Sequence, residues 1–258
     1  MQRKFFVCAG VGVLTCLTAL TIAVQAQKQE AQLSFVRQVR VKPSKIMDYM
    51  EWAKEFMAQV QEHKFPYPIK VYRCNDFNFW FSVPLENIAD LQVLGNTMNE
   101  LMAKIAPDKG EKIQKLWSDT TEYRKDGLIV LRPDLSYIPE NPRLKQEEAS
   151  FFSWTLTYIL PGKEQAFEEM AKKYKTLYQT KNIPDGFMLS QVIMGDELPL
   201  YVLVQSARSP ADYFSIDHSQ TLGEEGMAMQ SKLWSLIRKI EYKQAWIARD
   251  LSYTVQEK

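Results

Sequence analysis

Lys115-Leu116-Trp117-Ser118, followed by Asp134-Leu135-Ser136-Tyr137, returns later in the chain as Lys232-Leu233-Trp234-Ser235, followed by Asp250-Leu251-Ser252-Tyr253. The order and spacing of the two tetrapeptides are nearly the same in both places. Self-similarity at a long, fixed spacing is the signature of a duplicated structural unit. We therefore expect two copies of one unit, in which the Asp-Leu-Ser-Tyr segments share a packing or interface role. A pair of equivalent ligand sites is the alternative.

The sequence before each repeated pair also carries the same order of signals. Leu33 to Val41 is typical of a strand and leads through Pro43-Ser44-Lys45 into a helical pattern. Phe152 to Leu160 leads through Pro161-Gly162-Lys163 into a second one. In both helices the apolar residues recur at steps of three and four, which predicts one buried face. These residues are Ile46, Tyr49, Met50, Ala53, Phe56, Met57 and Val60 in the first helix, and Phe167, Met170, Ala171, Tyr174, Leu177 and Tyr178 in the second.

Each helix is followed by two short apolar runs around a turn. The runs are Ile69 to Cys74 and Phe77 to Val83 in the first half, and Phe187 to Met194 and Leu198 to Val204 in the second. Asn, Asp and Gly between the runs accept the backbone conformations of a tight turn, so each pair predicts a β-hairpin. A second helical pattern then precedes the closing segment of each half. The order is strand, helix, strand, strand, helix, strand.

This order predicts an α+β fold of two ferredoxin-like βαββαβ repeats with antiparallel sheets. We place the first repeat at 33–138 and the second at 150–254. The segment 139–149 between them contains prolines and a charged run, which is linker composition. Alternation along the first strand of the second repeat predicts two distinct faces. One face carries Phe152, Trp154, Leu156, Tyr158 and Leu160, and the other carries Ser153, Thr155 and Thr157.

A family resemblance rests on two matching turns and on the helices that follow them. The turns are Pro43-Ser44-Lys45 and Pro161-Gly162-Lys163, and the matching aromatic helix positions are Tyr49 and Phe167. The chain resembles the tandem dimeric α/β-barrel superfamily, which includes the antibiotic-biosynthesis monooxygenases. The resemblance implies that two sheets pair face to face as a barrel, within a homodimer or within one duplicated chain. We therefore expect either a monomer with internal pseudo-twofold symmetry or a homodimer.

The N-terminal residues 1–26 have the pattern of a secretory signal peptide. A basic start is followed by an uncharged run and by small residues at Val24-Gln25-Ala26, which predicts cleavage after Ala26. The mature protein is then expected to be exported, periplasmic or extracellular, and an uncleaved membrane anchor is the alternative. Cys8 and Cys16 lie in this segment, so Cys74 alone remains and no intrachain disulfide can form.

Composition and motifs exclude several classes of function. With 46% hydrophobic residues and a net charge of +1, the chain is globular and has no basic footprint for nucleic acid or for a membrane surface after signal cleavage. It contains no G-x-S-x-G, H-E-x-x-H, C-x-x-C, P-loop or G-x-G-x-x-G motif. A serine hydrolase triad, a protein-ligated metal site and a nucleotide site of those types are therefore disfavoured, and no cofactor or metal is expected.

The remaining candidate is an apolar pocket for a small apolar or aromatic ligand. Monooxygenases of the resembled superfamily use neither metal nor flavin and hold an aromatic substrate between sheet and helices. The resemblance therefore implies a ligand pocket in the second half of the chain. An aromatic stripe that only packs the core is the alternative. The candidate ligand-binding residues are Trp154, Tyr158, Phe167, Tyr174, His218 and Trp234.

His218 is the one candidate catalytic residue. A neutral imidazole next to Asp217 is suited to a general base or an axial haem ligand, and a surface or capping histidine is the alternative. Some tandem barrel enzymes bind haem through a histidine of the second half, so the resemblance implies that haem is a possible cofactor. The leading hypothesis is an exported ligand-binding protein; the alternatives are a cofactor-free monooxygenase, a haem-dependent enzyme that uses His218, and an oligomerisation module. Whether the protein is an enzyme stays open at this point.

Overall fold

A computed structural model describes residues 31–255, without the side chains of 218–221. The predicted signal segment 1–26 lies outside the described residues. The elements follow the order expected for each half, except that two helices, and not one, precede the last strand of each half. They are β1 (Leu33–Val41), α1 (Ile46–Glu62), β2 (Lys70–Cys74), β3 (Asn78–Leu85), α2 (Asp90–Lys104), α3 (Pro107–Thr120), β4 (Thr121–Leu131), β5 (Phe151–Ile159), α4 (Glu164–Thr180), β6 (Met188–Met194), β7 (Leu200–Ala207), α5 (Pro210–Phe214), α6 (His218–Trp234) and β8 (Ile237–Ile247).

The eight strands close into one antiparallel barrel within a single chain. Their order is β1-β3-β2-β8-β5-β7-β6-β4. The strands of the first half are neighbours in the order β4-β1-β3-β2, and those of the second half in the order β8-β5-β7-β6. The two groups meet at two seams, where β2 pairs with β8 and β4 pairs with β6. The expected α+β fold with antiparallel strands closed as a barrel is thus confirmed.

Successive side chains of each strand point alternately into the barrel and toward the outside. The expected alternation on β5 is observed, because Phe152, Trp154, Leu156 and Tyr158 face the interior. Their neighbours Phe151 and Ile159 are fully buried on the outer face. This alternation separates the core of the barrel from the cores beneath the helices.

The outer face of the sheet is covered by helices in both halves. Tyr49 of α1 lies on Phe79 of β3 with ring centroids 4.6 Å apart, and Phe167 of α4 lies on Tyr201 of β7 at the same separation. All four rings are at most 5% exposed. The matched positions of the sequence therefore make the same helix-to-sheet contact. Among residues 31–255, no helix is long and apolar enough to cross a membrane.

The repeated Asp-Leu-Ser-Tyr segments fasten the two seams. The Ser136 hydroxyl donates to the carbonyl four residues earlier and accepts a hydrogen bond of 2.9 Å from the backbone N–H of Leu189 in β6. Ser252 does the same with the backbone N–H of Val71 in β2, at 3.0 Å. Each segment follows the last strand of one half and bonds to the other half. The serines are therefore equivalent cross-links between the halves.

Residues next to the two serines strengthen the same seams. Leu135 and Leu251 are completely buried. The tyrosines form isolated antiparallel bridges across the seams, Tyr137 with Phe187 and Tyr253 with Ile69. Packing and interface contacts thus account for the repeated segment, as expected from its occurrence in both halves.

Candidate ligand site inside the barrel

The barrel encloses a cavity of about 1150 Å³. Typical small-molecule sites occupy roughly 300 to 1,000 Å³, so the cavity can hold a ligand of several rings. Inward-facing side chains of all eight strands form its wall. The interior of an eight-stranded barrel is either filled by its own side chains or just wide enough to hold one small ligand. The open volume places this barrel in the second group.

An aromatic cluster covers one side of the cavity. Trp154 of β5 makes edge contacts with Tyr72 of β2 and Trp80 of β3, at centroid distances of 5.2 and 5.6 Å. Phe152 meets the Tyr72 ring edge-on at 5.3 Å. Burial raises the pKa of Tyr72, so its hydroxyl stays protonated at neutral pH. These four residues, which we call the aromatic wall, offer flat apolar surface to a ligand.

At the level of Trp154, the opposite side of the cavity carries much smaller residues. On β1 and β4, Val36 is paired with Gly127, whereas on β5 and β8, Trp154 is paired with Lys243. Val36 and Trp154 correspond at the spacing that relates the two Pro-x-Lys turns, and Gly127 and Lys243 correspond at the spacing that relates the two Asp-Leu-Ser-Tyr segments. A Cβ atom at Gly127 would lie 2.8 Å from the backbone oxygen of Met194, so β4 admits no larger residue here without a shift. Small residues on one side thus leave space in front of large ones on the other.

One end of the cavity carries charged side chains. Lys243 Nζ lies 2.7 Å from Asp76 Oδ2 and 3.8 Å from Glu241 Oε2, and only 13% of its side chain is exposed. Arg40 donates to the backbone carbonyl of Asp76. Burial alone would raise the pKa of Asp76, but hydrogen bonds from Lys243 and Asn78 lower it overall. The Asp76 carboxyl is therefore ionised at neutral pH, and the cluster contains both basic and acidic groups.

Tyr158 lies at the same end and is restrained by charged neighbours. Its hydroxyl is 3.4 Å from Glu241 Oε1. Lys239 Nζ and the Arg238 guanidinium lie over its ring, 4.5 and 5.3 Å from the centroid. Burial, followed by the charge of Glu241, raises the pKa of Tyr158 to about 12. The hydroxyl is therefore a hydrogen-bond donor at neutral pH, and not a phenolate base.

The segment 139–149 crosses the other end of the barrel and forms part of the cavity wall. Arg143 binds Asp185 and Asp212 through N–O contacts of 2.7 Å each. Arg249 donates to two carbonyls of the segment at 3.1 Å. We call this segment the strap, because ion pairs fix it across the opening. Its residues on the wall are Pro139, Pro142, Leu144, Lys145, Gln146, Glu147 and Ala149.

The structure divides the candidate ligand-binding residues into two groups. Trp154 and Tyr158 lie on the cavity wall. Phe167 is part of the core between α4 and β7, on the other side of the sheet. The Tyr174 hydroxyl donates to a backbone carbonyl of α6 at 3.3 Å, and Trp234 is 60% exposed at the end of α6. The cavity lies inside the barrel, whereas the resemblance implied a pocket between sheet and helices.

His218 is the first residue of α6, and its side chain lies outside the described part of the chain. Helix α6 packs against α4. The residues that sequence reasoning missed are Tyr72, Trp80 and Lys243. For Tyr72 and Trp80, alternation along the predicted hairpin strands was the available signal, since every second residue of a barrel strand faces inward.

A haem bound in the cavity would need an axial ligand from the cavity wall. Axial haem ligands are usually histidine or cysteine, with tyrosine or methionine in some proteins. Among the described side chains, which do not include that of His218, neither histidine nor cysteine contributes to the cavity wall, whereas Tyr72 and Tyr158 do. The same part of the chain contains no group of three or more side chains suited to a metal ion. The described side chains of the wall therefore supply no histidine ligand for haem.

No family model and no curated protein matches the chain. Solved structures do match it. An anthrone oxidase-like protein superposes with a TM-score of 0.59 at 9% identity, covering 89% of this chain and 96% of its own. A putative monooxygenase from Fusobacterium nucleatum gives 0.51 at 12% identity, with coverages of 85% and 93%. The chlorite dismutase of Candidatus Nitrospira defluvii in complex with imidazole gives 0.51 at 10% identity, with coverages of 85% and 92%. This chain has the dimeric α/β-barrel fold.

The fold that the resemblance implied is thereby confirmed. At identities of 9 to 12% the likeness establishes the fold alone. Identical folds host unrelated activities, so function has to be argued from the cavity.

Proposed function

We propose that this α/β-barrel protein binds a small apolar or aromatic ligand inside the barrel. The observation that carries the proposal is the cavity of about 1150 Å³ with the aromatic wall on one side. Apolar side chains that border a cavity of this size lack the packing contacts of a filled core. A ligand that occupies it restores those contacts and removes apolar surface from water, which favours binding.

We also propose the finer architecture, in which 33–138 and 150–254 are two ferredoxin-like repeats and the protein is a monomer with pseudo-twofold symmetry. Two features support this: the matching strand orders of the halves, and barrel closure within one chain. The equivalent serine cross-links at both seams support it further. A homodimer is not needed to complete the barrel.

Export to the periplasm or the extracellular space is part of the proposal. It rests on the signal-like segment 1–26 and its small residues before the expected cleavage point. Mass spectrometry of the protein purified after expression with its native N-terminus tests this. A mature chain that begins at Gln27 supports cleavage and export, and a retained Met1 in a membrane fraction supports the anchor instead.

Ligand binding is tested by blocking the cavity. Naphthalene should raise the melting temperature of the protein in a saturable way, because a ligand that binds only the folded state stabilises it. Val36→Trp places a large ring in the open side of the cavity and should abolish that shift. Val202→Trp blocks the cavity from β7 and should act in the same way.

The matched control is Val93→Trp, on the exposed surface of α2. It should retain the full ligand-induced shift. An absence of any shift in the wild-type protein overturns the proposal. So does an equal shift in the wild type and in both folded blocking variants.

A second candidate function is cofactor-free oxygenation of an electron-rich aromatic compound. It is favoured by structural neighbours described as an anthrone oxidase-like protein and a putative monooxygenase. Oxygen uptake with 1,4-dihydroxynaphthalene, compared between the wild type and Val36→Trp, distinguishes turnover from binding. A haem enzyme that uses His218 requires a Soret band after haem addition that disappears in His218→Ala. A featureless spectrum excludes that alternative.

A further inference from the structure

The charged end and the aromatic wall of the cavity meet at one pair of residues. Lys243 and Trp154 are directly paired in the register of β8 and β5, and both side chains face the interior. Directly paired positions of antiparallel strands place their Cβ atoms roughly 4.5 to 5.5 Å apart. A ring that packs on the aromatic wall therefore lies beside the Lys243 side chain, whose ammonium is held at the charged end of the cavity, 2.7 Å from Asp76 Oδ2.

We infer that Lys243 and Trp154 together select an uncharged aromatic ligand that carries an oxygen acceptor, such as a ketone, at one edge. This inference rests on the proposed ligand binding and specifies the chemistry of the ligand. Trp154 provides packing surface, and Lys243 donates a hydrogen bond to the oxygen. An ammonium group has three N–H donors, which is more than its hydrogen bond to Asp76 uses.

The charges around Lys243 favour a neutral ligand over an anion. Asp76 and Glu241, which also line the cavity, contact the ammonium, and the Arg40 guanidinium donates to the Asp76 backbone. Glu241 also pairs with Lys239, which together with Arg238 contacts Glu197, and Arg40 also pairs with Glu122. This network thus contains four basic and four acidic groups, and its charges balance. A ligand carboxylate would be repelled by the Asp76 and Glu241 carboxylates, and no excess of positive charge would offset this repulsion. It would also lose its hydration on entering the cavity. A carbonyl oxygen avoids both costs.

The space for such a ligand comes from the opposite side of the barrel. Strands β1 and β4 lie across from β5 and β8 in the closed order, and they carry Val36 and Gly127 at the positions of Trp154 and Lys243. If both halves carried the large pair, two rings and two ammonium groups would share one interior. The difference between the halves therefore makes one oriented site, with a single polar end.

The experiment compares three naphthalenes of similar shape: 2-acetylnaphthalene, 2-ethylnaphthalene and 2-naphthoate. Dissociation constants come from quenching of tryptophan fluorescence, confirmed by calorimetry. The tested variant is Asp76→Asn/Lys243→Met, which removes the donor without leaving an uncompensated buried carboxylate. The control variant is Lys45→Met/Asp48→Asn, which removes an exposed ion pair of 2.9 Å on the outside of the barrel.

In the wild type and in the control, we expect the ketone to bind more tightly than the carboxylate. The affinity ratio of ketone to ethyl compound should fall about 10-fold in Asp76→Asn/Lys243→Met, because a lost hydrogen bond to a charged donor has about this effect. Binding of the ethyl compound should persist in that variant. An unchanged ratio, or tighter binding of 2-naphthoate, overturns the role of Lys243. In either case, the proposed ligand binding still stands if the ethyl compound binds the wild type and Val36→Trp blocks this binding. If none of the three compounds binds, both the proposed ligand binding and the role of Lys243 are overturned.

Discussion

The two serine cross-links give the sharpest test of how the barrel stays closed. In Ser136→Ala the backbone N–H of Leu189 loses its hydrogen-bond acceptor. In Ser252→Ala the backbone N–H of Val71 loses its acceptor in the same way. Leu189 is 3% exposed and Val71 is fully buried, so water cannot readily replace the hydroxyl. A buried donor left unsatisfied costs about 1 to 3 kcal/mol of unfolding free energy. The seams lie apart in the barrel, so the double variant should lose about 2 to 6 kcal/mol.

Urea denaturation followed by circular dichroism and by tryptophan fluorescence measures these losses. Each single variant should lower the unfolding midpoint, and the effects should add in the double variant. The matched control is Ser118→Ala/Ser235→Ala, which changes the serines of the other repeated tetrapeptide. Those hydroxyls bond only to carbonyls of their own exposed turns, so the control should change stability by less than about 0.5 kcal/mol. Equal stability of the two double variants would refute the cross-link account.

Three further predictions concern the strap, an ion pair and the lone thiol. Arg143→Met removes the contact of the strap with Asp185, so we expect a loss of about 2 kcal/mol in urea and faster ligand dissociation in stopped flow; an unchanged dissociation rate argues against a covering role. The Arg132 hydrogen bond lowers the pKa of Glu168, so the pair stabilises the fold above the ordinary value of 4.5 and ceases to do so as the pH falls through the lowered pKa. Arg132→Met should therefore show a smaller loss of stability between neutral and acid pH than the wild type, and a parallel curve contradicts this. Burial raises the pKa of Cys74 to about 12, so Ellman's reagent at pH 8 should react with it only after unfolding, and rapid labelling of the native protein would contradict its burial.

Local patterns predicted the strands and the first helix of each half, but not the division of the second helical stretch into two helices. The predicted strand Leu33 to Val41 coincides with β1, and the prediction Phe152 to Leu160 differs from β5 by one residue at each end. Side-chain alternation on β5 was also correct, because the pleat of a strand determines it whatever the partner strand is. The repeated Asp-Leu-Ser-Tyr segments correctly indicated a packing role, since the same serine hydrogen bond recurs at both seams.

The site could not be located in this way, because distant pairings create it. The cavity exists only when β2 pairs with β8 and β4 pairs with β6, and no local pattern encodes these seams. The helical apolar stripe that made Phe167 a candidate is the face by which α4 packs on the outside of the sheet. Lys243 also lacked a local signal, because a strand lysine normally faces water. Its inward direction becomes apparent only from its register with Trp154.

Crystals of the protein grown with 2-bromonaphthalene test the central claim most directly, since anomalous scattering locates the bromine without a model of the ligand. We expect one dominant bromine peak inside the barrel, within van der Waals distance of the aromatic wall, and no such peak in Val36→Trp. A dominant peak between the helices and the outer face of the sheet, or a barrel that stays empty at saturating ligand, would contradict a ligand site in the barrel interior.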